Sequence, residues 1–307
     1  MCRDSFATAV AIGLVIAFHA LPAAGQACCA GAALVNPARL ALHEDYAIGL
    51  QARVRADLGS FDPRGNYSSS ATEQDVEQDL AGSIRLTERS QAGAVLPLVE
   101  TRRIESGVPT WGSGIGDLAL NARYDFVLPS EALYWPGFGV MTALLIPTGK
   151  PVGEGNDPSS TDATGTGTYN LSVGVEIQKV SGSFYFLFDG WVTYCWGRTV
   201  QIPGSAALTT SFPLQWTALG VAGYVFPNEA ALGLYVNFLA RPDDRLNGDL
   251  QPGSALQLTT AGLSGVLPIR DVWRVQGSVF SDVLISPFGR NELGGAGVSA
   301  ALVRVWM

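Results

Sequence analysis

The sequence predicts an all-β chain, closed as an antiparallel transmembrane β-barrel of about twelve strands, with ten and fourteen as the neighbouring alternatives. Three observations carry this. From residue 44 onward apolar and polar residues alternate in runs of about ten, the connections are long and short in turn, and aromatic residues gather near the run ends. A barrel across an outer membrane needs that rhythm, because one end carries tight turns and the other extended loops.

In chain order, the strands are expected at 44–57, 76–89, 91–103, 115–128, 136–148, 167–180, 183–196, 208–226, 229–241, 254–268, 271–284 and 296–307. In a strand, successive side chains fall on opposite faces. The first strand sets Arg53 and Arg55 on its polar face, and the second sets Asp79 and Arg85. The third, like the tenth, has no clear phase. The fourth opposes Asn121, Arg123 and Asp125 to Leu118, Leu120, Ala122, Tyr124 and Phe126, with Asp117 starting the polar face. The sixth is the clearest: in YNLSVGVEI (169–177) every odd residue is apolar, which leaves Glu176 with the polar set. Asp189, Arg241, Arg274, Asp282 and Arg304 continue that set along the later strands. These residues are the candidate lumen lining: Arg53, Arg55, Asp79, Arg85, Asp117, Asn121, Arg123, Asp125, Glu176, Asp189, Arg241, Arg274, Asp282 and Arg304.

Long connections are expected at 58–75, 104–114, 149–166, 197–207, 242–253 and 285–295, with tight turns such as Ser181-Gly182, Pro227-Asn228 and Ile269-Arg270 between them. The loops are rich in Gly, Asp, Ser, Pro and Asn, the composition of solvated surface segments. If the short turns face the periplasm, an even strand number puts both termini there. Tyr46, Tyr124, Phe126, Tyr134, Trp135, Tyr194, Trp196, Tyr224, Phe226, Trp273 and Trp306 lie near strand ends, where a ring can keep its polar edge wet. The final run, ALVRVWM, alternates to the end of the chain and places an aromatic next to last, as in terminal strands recognised by barrel-insertion machinery.

Composition limits the alternatives. At 307 residues, 47% hydrophobic and 15% charged, the chain suits one large β domain and is too poor in charge for disorder. No run after residue 27 reaches the ~18–20 apolar residues of a membrane helix, so a membrane protein here must be a barrel. A net charge of −8 argues against nucleic acid and anionic lipid surfaces as partners. Residues 1–27 read as an export signal, with Arg3, an apolar stretch and small residues before the cut. Residues 28–43 would form a short periplasmic or lumen-entering tail, and 44–307 the barrel. Cys28 and Cys29 lack the upstream aliphatic residue of a lipidation signal, and with Cys195 they imply no disulfide framework.

Catalysis finds no foothold. The mature chain keeps only His43, and no H-E-x-x-H, C-x-x-C or G-x-S-x-G occurs. Asp117 and Asp125 would stand about 27 Å apart along one strand, too far to act together. Glu154, Asp157 and Asp162, or Asp243, Asp244 and Asp249, lack calcium-loop spacing. No enzyme activity, cofactor or metal is expected.

The stretch GIGDLALNARYDF (114–126), followed by ALLIPTGK (143–150), resembles the outer-membrane transporters associated with the meta-cleavage pathway of phenol degradation, grouped loosely with long-chain fatty-acid transport barrels. The resemblance implies a barrel that admits small hydrophobic or aromatic compounds, and it carries over no binding residues. Read physically, Gly114 and Gly116 allow tight curvature, and Asp117 belongs to a salt-bridge network or a constriction. The expectation is an outer-membrane channel passing small, apolar permeants by passive diffusion, in contact with outer-membrane lipid. A structural or adhesion barrel with ligand-binding loops, and a secreted soluble β-sandwich, stand as alternatives.

Overall fold

An amphipathic antiparallel sheet in lipid can satisfy every backbone N–H and C=O only by closing on itself. The computed structural model describes residues 39–307 except 71–72, 106, 130, 132–133, 153, 155–156, 158, 201–207 and 271. It closes in this way, with twelve strands forming the wall. They are β1 (Tyr46–Phe61), β2 (Glu73–Thr87), β3 (Ser90–Glu105), β4 (Leu118–Val127), β5 (Gly137–Ile146), β6 (Asn170–Ser181), β7 (Phe184–Cys195), β8 (Gln215–Val225), β9 (Ala231–Arg241), β10 (Leu256–Ile269), β11 (Trp273–Asp282) and β12 (Leu293–Trp306). Each pairs antiparallel with its neighbours in sequence, and β12 returns to β1, from Tyr46↔Trp306 to Ser60↔Leu293. A single closed sheet is not a two-sheet sandwich, and the soluble alternative falls with it.

The two faces are inverted relative to a soluble protein. Outward-facing Leu234 is 62% exposed, alongside Leu50, Val236, Val279 and Leu302, while inward-facing Tyr185 and Val303 are fully buried. So much apolar surface is a liability in water and a requirement in lipid. Rings ornament both rims. At the short-turn end Tyr124 meets Phe126 at 4.9 Å and Tyr224 meets Phe226 at 5.0 Å; at the long-loop end Tyr194 meets Trp196 at 5.2 Å. Edge-on pairs of this kind suit the rings' quadrupoles.

Four expectations need correction. Residues 104–114 are not a loop: β3 continues into a hairpin with Val108–Ile115, paired from Leu98↔Ile115 to Glu105↔Val108. That strand hides in the sequence because two of its three inward positions, Gly112 and Gly114, carry no side chain. The run 208–226 is divided, since Leu208–Ser211 joins a separate small sheet with Arg198–Val200, Arg245–Leu246 and Asp249–Leu250, and β8 begins only at Gln215. The connection expected at 149–166, which the structure extends to 168, is not a solvated surface loop, because Thr161 within it is 0% exposed. Arg304 does not face the lumen. It pairs in register with outward Ile48 and Trp273, and its guanidinium stacks over Trp273 (5.6 Å) and Trp306 (4.9 Å) at the short-turn rim. The phase of β12 is set by Ala301, Val303 and Val305, which turn inward to pack with Leu40 and Ala47.

Candidate functional site: the barrel lumen

Three layers fill the lumen, each from a different part of the chain. At the short-turn end the residues before β1 enter the mouth. Arg39 donates to Glu176 Oε2 at 2.7 Å and to Gln178 Oε1 at 3.0 Å. Glu176 also pairs with Arg123, which grips Asp125 through Nε at 2.9 and 3.1 Å. On the opposite wall Arg274 Nη1 donates to both oxygens of Glu44 (3.0 and 3.1 Å), and its Nη2 to the Arg39 carbonyl at 3.1 Å. Arg85 reaches the Glu44 carbonyl at 2.8 Å and also binds the Ala41 carbonyl. Beside these ions lies an apolar cluster of Tyr185, Leu187, Val221, Val225, Ala231 and Val266, all on inward faces. The mouth is therefore packed as a protein core is, with buried charges compensated in pairs.

Above this floor lies a cavity of about 340 Å³, lined by Arg53, Arg55, Tyr235, Asn237, Gln276 and Phe280 among others. Glycines widen the wall where the rings lie. A Cβ at Gly262 would strike the Tyr235 ring, and one at Gly297 the Phe280 ring. The inward face of β2 is a ladder of Glu73, Asp75, Glu77 and Asp79. Arginines on its neighbours answer it: Arg53 to Glu77 at 2.6 Å, and Arg103 to Glu73 at 2.9 and 3.0 Å. Arg55 pairs with Asp57 at 3.0 Å and with Asp282 at 3.1 Å. Asp57, Glu73 and Asp75 bring carboxylate oxygens within 4.8 Å of one another, a spacing a cation could use. Arg55, Arg103 and the Thr101 hydroxyl already serve them.

The third layer is the 149–168 connection, folded onto the inner face of Val108–Ile115. Gly112 leaves room for the backbone of Thr161 and Asp162, and Gly114 and Gly116 for Thr164. Asp117 is the latch. Its Oδ1 accepts from Gly149 N–H at 3.0 Å, and its Oδ2 from the Thr166 N–H (2.7 Å) and hydroxyl (2.8 Å). Arg103 donates to the Ser159 carbonyl at 2.6 Å and Lys150 to Asp162 at 2.9 Å. Asp157 caps the loop's own turn. Its bonds from the Thr161 hydroxyl and the Ser159 and Thr161 amides hold its carboxyl below the ordinary value of 3.8.

Of the sequence-predicted set, Arg53, Arg55, Asp79, Asn121, Arg123, Asp125, Glu176, Asp189 and Asp282 lie on inward strand faces. Arg85 and Arg274 hold the residues before β1, Asp117 holds the inward loop, and Arg241 pairs with Asp244 at the long-loop rim while stacking on Phe212. Asp117 is thus a backbone cap and belongs to neither of the roles expected for it. Glu154 pairs with Arg198, and Asp243 accepts from the Gly253 and Ala255 amides, so these loop acids serve their own segments. Cys195 is a buried free thiol; Cys28, Cys29, the export signal and residues 28–38 of the tail lie outside the described residues. Sequence reasoning missed Tyr235, Phe280, Arg39 and Glu44, and the signal for the first two was available: an aromatic out of phase with the lipid face, opposite a glycine.

No protein-family model and no curated protein matches the chain. Among solved structures, an outer-membrane channel from Pseudomonas putida F1 superposes with a TM-score of 0.70 at 17% identity, covering 87% of this chain and 97% of that one. The translocator domain of the autotransporter NalP from Neisseria meningitidis (TM-score 0.47, 11% identity, 90% and 93% covered) and the CymD monoaromatic hydrocarbon channel (0.45, 10%, 93% and 94%) are more distant. The first likeness establishes the fold: a closed, twelve-stranded barrel of the outer-membrane class.

Proposed function

We propose that the chain is an outer-membrane channel admitting small, apolar or weakly polar molecules by passive diffusion. The long loops would face outward and both termini the periplasm. The observation that carries this reading is the layered lumen. A half-apolar cavity stands next to a packed mouth, and an inward loop latches onto the wall of the same lumen. Such a lumen suits a molecule that can shed its hydration and disfavours a sugar or an ion. The resemblance over residues 114–150 supports the same substrate class.

Planar-bilayer recording tests this reading. Expected are small, rare ionic conductances that rise when residues 28–43 are deleted, because that deletion removes Arg39, Leu40 and Ala41 from the mouth. A large, steady ion current from the intact chain contradicts it. The packed mouth also suits a structural barrel, and that reading gains if apolar probes never cross.

A further inference from the structure

The cavity next to the packed mouth has a chemistry of its own. Phe280, Tyr235 and Leu219 provide an apolar wall, and Gln51, Asn237 and Gln276 an amide-bearing one. Gln276 lies just above Arg274 and the residues that fill the mouth, at the floor of the cavity. It is 6% exposed, and its Nε2 has no hydrogen-bond partner among the described residues. A buried donor left without a partner costs free energy, and an acceptor brought by a ligand relieves that cost. The two cationic side chains in the lining are both committed, Arg53 to Glu77 and Arg55 to Asp57 and Asp282. The facing ladder from Glu73 to Asp79 adds further negative charge. A carboxylate entering the cavity finds no unpaired cation among the described lining residues and several like charges.

We infer that this cavity binds an uncharged amphiphile: one small ring or short chain with a single hydrogen-bond-accepting head, such as a ketone, amide or alcohol. The body lies along Phe280, Tyr235 and Leu219, and the head lies among Gln276, Gln51 and Asn237. The volume of about 340 Å³ is at the small end of the range for ligand sites, which limits the occupant to a compact molecule. The inference rests on the channel reading and narrows it, since it separates neutral oxygenated compounds from both hydrocarbons and carboxylates.

Three probes of nearly equal size divide the possibilities: acetophenone carries an acceptor, ethylbenzene has none, and benzoate is charged. Calorimetric titration of the full barrel in a non-ionic detergent, with detergent alone as blank, is expected to show saturable acetophenone binding about tenfold tighter than ethylbenzene, the ratio one hydrogen bond supplies. Benzoate is expected not to bind. Gln276→Leu and, at a more exposed position, Asn237→Leu should each bring acetophenone toward ethylbenzene, in protein whose heat-shifted gel mobility shows a folded barrel. Equal binding of acetophenone and ethylbenzene, binding of benzoate, absence of any saturable binding, or indifference of both variants overturns the inference. Uptake of the same probes across a lipopolysaccharide-bearing membrane reports on the channel separately. Transport without the acetophenone preference sinks the site and leaves the channel, whereas the preference without transport does the reverse.

Discussion

Glu176 shows how much of this barrel's interior rests on single side chains. It meets Arg39 from the segment before β1 and Arg123 from β4, and it is almost wholly buried. Removing one partner of a buried ion pair leaves the others uncompensated, at a cost of about 3–5 kcal/mol. Glu176→Gln should therefore lower the temperature at which the folded gel band is lost, whereas Glu77→Gln, on the more exposed Arg53 pair, should shift it far less. Arg304 offers a contrast at the rim. Its stacking on Trp273 and Trp306 is worth about 0.5–1 kcal/mol, so Arg304→Ala should cost a little stability and leave probe permeation unchanged. A permeation change in that variant would return the residue to the lumen. The sequence could not settle this phase. In ALVRVWM both faces carry apolar residues, and only the packing of Val303 and Val305 against Leu40 decides which one turns inward.

At the scale of the element, the inward 149–168 connection is the part least visible in sequence. Its composition is that of a surface loop, and what folds it inward is a property of another strand, the glycine positions 112, 114 and 116, together with one carboxylate, Asp117. Gly112→Val would collide with the Thr161 backbone, so amide exchange over 159–166 should accelerate while the barrel strands remain protected. Unchanged exchange there would mean that the loop does not depend on its glycine bed. Asp157 adds a pH dependence. Because its folded carboxyl titrates below the ordinary 3.8, its contribution is present above that value and is lost as pH falls through the lower, folded one. Loop exchange, corrected for intrinsic rate, should stay flat from pH 7 to about 5 and rise only below about 4. By contrast, the two faces of β6 were legible, because its strict alternation matches a wall with lipid on one face and the lumen on the other, although the strand starts at Asn170 and not at 167.

For the whole molecule, strand number and closure followed from the alternation and the rhythm of long and short connections, and the wall of twelve strands has both. The contents of the lumen did not follow, since they depend on which residues meet across the barrel between strands far apart in sequence. Arg39 with Glu176 and Arg274 with Glu44 are such meetings. The central claim is that small apolar molecules pass through this interior. Initial uptake of radiolabelled ethylbenzene by vesicles with a lipopolysaccharide outer leaflet, with and without the protein, tests it most directly. The account predicts several-fold faster uptake with the protein and no gain for a polar solute of the same size such as ribose. Equal ethylbenzene uptake in both preparations, or a larger gain for ribose, would contradict it.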